Sequence, residues 1–188
     1  MKERPILFNG DMVRAILAGQ KTQTRRPVWF DDDPSGICPY GVPGDRLWVR
    51  ETYARHPQFA EVAYRADGEE FEDGDGFTWC PKWTPSIHMP RALSRITLEI
   101  TDSRVERVQD ISEKEARAEG IEALDGRFVS ADLCDTARWY GMSMEDARCI
   151  YAHLWDTSYA ARGLGWSVNP WVWVVTFKSV EEEPCPKN

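Results

Sequence analysis

Near its C-terminus the chain carries Trp171-Val172-Trp173-Val174-Val175-Thr176-Phe177, its most apolar run, entered through the turn signal Asn169-Pro170. A short stretch of β-branched and aromatic residues in that setting reads as a strand that closes a hydrophobic core. Any fold open to this chain must give that strand hydrogen-bonded neighbours and side chains to cover it.

The sequence offers such neighbours. Arg95 to Thr101 alternates cleanly, with Ile96, Leu98 and Ile100 on one face, and Val105 and Val108 continue the β region. Pro5-Ile6-Leu7-Phe8, Arg46 to Tyr53 and Glu61 to Arg65 are further strand candidates. Helices separate them. Met12, Val13, Ile16 and Leu17 form one apolar face, with Asn9 or Asp11 as N-cap and Gly19 as the stop. A second helix starts at the capping box Ser112-Glu113-Lys114-Glu115, with Ile111 placed to staple onto Ala116, and stops at Gly120. A third is capped within Ser143-Met144-Glu145-Asp146 and shows Met144, Ala147, Ile150, Tyr151, Leu154 and Trp155 on its packing face. The predicted class is α+β, with a small barrel whose strands have one wet face.

Composition sets the scale. With 188 residues, 42% of them hydrophobic and 12% aromatic, the chain can bury one core. One domain over residues 1–180 is expected, with inserted loops at about 27–45, 66–91 and 121–142 and a disordered tail over 181–188. No apolar run approaches the roughly 18 residues of a membrane span. Met1-Lys2-Glu3-Arg4-Pro5 leads into no signal-peptide core, so a cytoplasmic protein without membrane contact is expected. Cys38, Cys80, Cys134, Cys149 and Cys185 are odd in number and scattered, which suits reduced thiols. A net charge of -8 argues against a protein that coats nucleic acid or grips extended double-stranded DNA. The acids gather in Asp31-Asp32-Asp33, between Asp67 and Asp75, and in Glu181-Glu182-Glu183, leaving Arg25, Arg26, Arg46, Arg50, Arg91 and Arg95 free to line a local surface.

The stretch Ala18-Gly19-Gln20-Lys21-Thr22-Gln23-Thr24-Arg25-Arg26 follows the first helix and places three cations in a small volume. Pro27 disfavours the helical region for Arg26, so the segment reads as extended. The planar donor forks of arginine and the movable ammonium of lysine suit an anion or the polar edge of a base. The same cations also complement the negative end of the preceding helix. Farther on, Phe77 to Arg91 is dense in aromatics and prolines; Trp79 and Trp83 either stack on a base or cover the core. His88 has no C-x-x-C, H-x-x-x-H or H-E-x-x-H companion, so neither metal nor cofactor is expected.

Gly19-x-Lys21-x-x-Thr24-x-Arg26 after Ile16-Leu17-Ala18 resembles the signature of ASCH domains, PUA-like modules built on a small β-barrel with a cleft and flanking helices. That signature is commonly written G-x-K-x-x-E-x-R, and Thr24 here stands at the Glu position. The departure is similar to the bacterial N4-acetylcytidine amidohydrolases of the superfamily, which carry Lys, Thr and Arg at this spacing. Asp110 to Glu119 resembles the helix that supplies their catalytic Glu, which falls on Glu119. Pro85-Ser86-Ile87-His88-Met89-Pro90-Arg91 resembles prophage-encoded ASCH-like proteins. The resemblance covers about half of the chain, and the loops between its motifs are longer than in the small enzymes.

It implies a metal-independent amidohydrolase of an acylated cytidine or similar modified nucleoside. Lys21 would be the base, Thr24 the nucleophile, Glu119 the acid and Arg26 a ligand clamp, with Arg25, Trp83, His88, Arg91 and Asn169 as further candidate ligand contacts. A noncatalytic module that holds RNA or a modified base, and an ASCH-type ribonuclease, are the alternatives. A lysine in a cleft serves chemistry and not packing, so its truncation is expected to spare the fold. One geometric condition attaches: in a flat strand Lys21 and Thr24 point to opposite faces, so an irregular backbone between them is required.

Overall fold

A computed structural model describes residues 1–29, 36–56, 61–68, 71–72, 78–121 and 131–180. The acid run Asp31-Asp32-Asp33, much of the acidic stretch before Asp75, the first part of the 121–142 loop and the tail from Glu181 lie outside the described residues.

The architecture is α+β. In chain order the elements are β1 (Glu3–Leu7), α1 (Gly10–Leu17), β2 (Gln23–Pro27), β3 (Arg46–Arg50), β4 (Tyr53–Arg55), β5 (Val62–Tyr64), β6 (Phe71–Glu72), β7 (Thr78–Trp79), β8 (Thr97–Arg107), α2 (Glu113–Ala118), α3 (Ala131–Tyr140), α4 (Ala147–Tyr159) and β9 (Trp171–Val180). Five strands form one sheet in the order β1-β3-β8-β9-β2, while β4 pairs with β5 and β6 with β7 as small outlying ladders. β1 and β3 run parallel; β3, β8, β9 and β2 pair antiparallel. No ladder joins the outer strands β1 and β2 among the described residues, yet a side chain spans the seam: Arg26 Nη2 donates to the Leu7 carbonyl at 2.6 Å.

The apolar run that reads as a closing strand is an interior one, with β2 outside it. Its continuous hydrophobicity has a direct cause. Trp173, Val175 and Phe177 enter a core with Ile6, Phe8, Val13, Ile16, Leu47, Val49, Leu98 and Ile100. Val172 and Val174, on the opposite face, enter a second core with Val108, Ile111, Ala116, Tyr151, Trp155 and Trp166. A strand covered on both faces has no wet side on which to alternate.

Local signals behave as their chemistry dictates. Asn9 caps α1 by accepting from Met12 N–H at 2.9 Å, and Gly19 ends it with a positive φ of 71°. Ser112 and Glu115 close the capping box of α2 in both directions, and Ile111 and Ala116 are buried together beside it. For α4 the cap is Asp146, which accepts from Arg148 N–H at 2.8 Å; Met144 stays outside the helix and exposed.

One correction concerns the stretch before Gly141, which reads as irregular in sequence but contains α3. Leu133 and Ala137, four residues apart, pack on Cys149 of α4. Cys134, Asp135, Arg138 and Trp139 face solvent, so its apolar stripe is too narrow to stand out as a period.

Candidate functional site

Residues 20–22 bridge α1 and β2, and backbone hydrogen bonds hold them on three sides. Lys21 N–H donates to Ala15 O at 3.0 Å, Thr22 N–H to Ala118 O at 2.9 Å, and Phe177 N–H to Thr22 O at 2.9 Å. Lys21 also pairs with Glu119 in an isolated antiparallel bridge, which brings the end of α2 against the start of β2. Gly120 permits that approach. Its φ is +90°, and a Cβ there would lie 2.8 Å from Ala15 Cβ and 3.1 Å from Lys21 Cβ.

This packing buries three ionisable side chains together, with Lys21 and Arg25 each 2% exposed and Glu119 7%. Lys21 Nζ donates to Glu119 Oε2 at 2.8 Å, to Glu119 O at 2.9 Å and to Gln23 O at 2.8 Å, so its three ammonium hydrogens meet three acceptors. The ammonium also lies 5.5 Å from the Phe8 ring centroid. Burial pushes the Lys21 amine below its ordinary pKa; the Glu119 carboxylate pulls it back and Arg26 and Arg25 add to the depression, leaving a net lowering.

Arg25 is stretched over several carboxylates: Glu119 Oε1 at 3.4 Å, Glu106 Oε2 at 3.2 Å and Glu115 Oε1 at 3.4 Å. The Gln23 side chain, with its amide oxygen turned inward, accepts from Arg25 Nη1 at 2.7 Å. Arg25 Nε is buried without an acceptor among the described residues. Arg104 ties the acids together, meeting Glu106 and Glu115 at 2.5 Å each.

A cavity of about 130 Å³ opens at this point. Thr24, Arg25 and Arg26 of β2 line it with Glu119, Gly120 and Ile121 from the end of α2. Asn9, the cap of α1, and Asp11 and Met12 within it form one wall, and Tyr151, Leu154, Trp155 and Tyr159 of α4 the other. Strand parity explains how neighbours share it. Thr24 lies opposite Val175 and Arg25 opposite Val174, so their side chains leave opposite faces of the sheet. Because β2 is the edge strand, a cavity beside it reaches both faces. Lys21 precedes the regular strand, so flat-strand parity does not govern it.

The structure therefore gathers Lys21, Thr24, Arg25, Arg26 and Glu119 from the sequence candidates. Lys21 stands behind Glu119 and does not line the cavity itself. The expectation that Lys21 serves chemistry and not packing is corrected: with no exposed side chain and a buried carboxylate as partner, it is also part of the interior.

The other candidates lie elsewhere. Trp83 packs on Phe71 with centroids 6.0 Å apart, and Trp79 on His56 at 4.8 Å. His88 is exposed in a short helical turn. Arg91 pairs with Glu3 at 3.1 Å and donates to Thr97. Asn169 adopts the left-handed conformation at φ 51° and accepts from Gln109 N–H at 3.0 Å, a turn role. The arginines do not converge on one face, since Arg95 is committed to Glu51 and Asp67 on β3 and β5's side of the molecule.

Sequence reading missed the lining role of Tyr151, Trp155 and Tyr159, because a core-packing helix face and a cavity-lining one share the same period. It also missed Glu106, Glu115 and Arg104, which are brought together where α2 packs beside the end of β8. Among the described residues, no group of three or more His, Cys, Asp or Glu side chains could hold a metal, and no helix is long and apolar enough to cross a membrane.

No family model matches the chain, and no curated protein sequence matches it. Two solved structures share features of its chain path. A protein of Enterococcus faecalis V583 described under DUF984 is 13% identical, covering 100% of this chain and 86% of that one, with a TM-score of 0.46. An ASCH domain from Lactobacillus crispatus JV V101 is 16% identical, covering 95% and 79%, with a TM-score of 0.41.

Proposed function

We propose that the cavity beside β2 binds an acylated cytidine or a related modified nucleoside and hydrolyses its amide without a metal. The observation that carries this reading is the buried contact of 2.8 Å between Lys21 Nζ and Glu119 Oε2, set behind a cavity that Thr24 and Glu119 both line. Burial lowers the hold of the Lys21 amine on its proton, and moving that proton across the contact would leave a base at Lys21 and an acid at Glu119. A single shift thus prepares a base and an acid together.

Thr24 Oγ1 would then attack the acyl carbonyl carbon while its proton passes to Lys21. The C–N bond breaks as Glu119 protonates the leaving nitrogen, which restores the ammonium–carboxylate pair and leaves the acyl group on Thr24 as an ester. Water adds to that ester, the carboxylic acid departs and the hydroxyl is regenerated. Arg26, half-buried, anchored on Leu7 O and lining the cavity, would clamp the ligand, and the Tyr151, Trp155 and Tyr159 wall suits a planar base.

One observation favours a second reading. Three acceptors around Nζ are a full set for an ammonium, which fits a noncatalytic module that binds RNA or a modified base. Incubation with N4-acetylcytidine, and separately with single-stranded RNA, distinguishes them. The enzyme releases cytidine and loses this activity in Lys21→Met; intact ligand that nonetheless binds supports the module.

A further inference from the structure

A second cavity, of about 340 Å³, adjoins the first, and Arg26 and Tyr159 line both. Its other walls include Arg50 of β3, Arg162 just beyond α4, Trp29 and Tyr40. No carboxylate side chain lines it among the described residues, although the chain as a whole carries a net charge of -8. Among the described residues, the three guanidinium groups pair with carbonyls and rings and not with acids. Arg26 donates to Leu7 O, Arg50 to Met89 O and Ile87 O, and Arg162 lies 5.8 Å from the Trp29 ring centroid.

Arginines fixed by backbone carbonyls keep their full charge and hold their forks in place, which is the arrangement that recognises phosphate oxygens. The aromatic share has the same address. Trp29 is 51% exposed, and Tyr40 and Tyr159 are half-buried on the same wall. A cationic, aromatic groove that begins at the wall of the base-sized cavity is a fit for the sugar-phosphate part of a nucleotide.

We propose that this groove is a phosphate subsite, so that the ligand of the first cavity is a phosphorylated nucleoside and not a free one. The proposal rests on the nucleoside reading of the first cavity, but not on catalysis there. The phosphate is either the terminal group of a mononucleotide or an internal phosphodiester of single-stranded RNA, and the two share the same chemistry.

The test is calorimetric titration of the full chain with cytidine, cytidine 5′-monophosphate and a cytidine-centred trinucleotide lacking a terminal phosphate, in wild type, Arg162→Glu and Arg162→Ala. Arg162 is exposed, so its replacement leaves the fold intact. At least one phosphorylated ligand is expected to bind about tenfold tighter than cytidine, the scale of charge-assisted contacts to phosphate. That advantage should vanish in Arg162→Glu and shrink in Arg162→Ala, while cytidine affinity stays unchanged. A gain for the monophosphate identifies a terminal phosphate; a gain for the trinucleotide alone identifies a phosphodiester. Equal affinity for all three ligands, or a phosphate gain that survives Arg162→Glu, overturns the subsite. Failure of the amidohydrolase reading would appear separately, as unhydrolysed N4-acetylcytidine with the phosphate gain intact.

Discussion

Two buried charge clusters in this molecule use the same residue types and reach opposite ends. Around Glu51, Arg95 donates Nε and Nη2 to the two carboxylate oxygens at 2.9 and 3.1 Å. Its outer edge takes Asp67 at 2.7 and 2.8 Å, and its guanidinium lies 4.1 Å from the Tyr64 ring centroid. Every contact is short and forked, which makes this cluster a staple between β3 and the turn after β5. Around Glu119, Arg25 reaches three carboxylates at 3.2 to 3.4 Å and leaves Nε without an acceptor among the described residues, beside a cavity. A saturated network has nothing to offer a ligand; a stretched one at a cavity wall does. Charge density alone does not separate a site from a staple, and geometric saturation does.

The largest expected effect lies in the stretched cluster. Lys21→Met keeps most of the buried volume but removes the base, so turnover of an acylated nucleoside should fall by about 10³-fold, within the range for lost general base catalysis. Circular dichroism must show a folded chain for the comparison to stand. Turnover at the wild-type rate would make Lys21 a structural cation like Arg95.

Arg95→Leu probes the saturated cluster. It strands the Glu51 carboxylate, which is 2% exposed, so unfolding free energy should drop by about 3 kcal/mol, as when one partner of a buried pair is removed. Urea titration measures this. Activity per folded molecule should not change, and a variant that is stable but inactive would contradict the division between the two clusters.

Gly120→Ala tests how the stretched cluster is positioned. A side chain at φ +90° is strained, and its Cβ would meet Ala15 and Lys21, so a loss of about 2 kcal/mol is expected from backbone strain alone. Turnover should fall with it, since Glu119 is the adjoining residue. Lost stability with unchanged turnover would show that the Lys21–Glu119 contact tolerates a shift.

Both clusters were unequally legible in the sequence. Lys21, Thr24, Arg25 and Arg26 stand in one run, and a capping box followed by Gly120 marks where Glu119 ends its helix, so local chemistry exposes these residues. Glu106 joins Arg25 only through the pairing of β8 with β9 and of β9 with β2, and Glu115 only through the packing of α2 beside β2, arrangements that no local pattern carries. Arg95 looked like one more cation of a basic surface because its partners, Glu51 and Asp67, lie 44 and 28 residues away. The cavity walls were hidden for another reason: Tyr151 and Trp155 satisfy a packing period whether or not space remains in front of them.

The smallest effect separates the clusters by the sign of their response to pH. Burial raises the Glu51 carboxyl above its ordinary 4.5 even though Arg95 opposes it. Between 4.5 and that raised value the folded protein holds a proton that the unfolded chain has released, so stability falls as pH rises through the window. Glu115 behaves oppositely. Burial pushes it up, but the Ser112 N–H and hydroxyl together with Arg25 and Arg104 outweigh burial and bring it below 4.5. Its contribution is present above 4.5 and is lost as pH falls through the lowered folded value. Urea midpoints taken on both sides of 4.5 read the two windows. Glu115→Gln, which preserves the capping box, should flatten the loss on the acid side, and Glu51→Gln should flatten the decline above 4.5. Exchange of the two signatures would mean that the Glu51 carboxylate is the better stabilised of the pair, and that the stretched cluster, not the forked one, bears the desolvation burden.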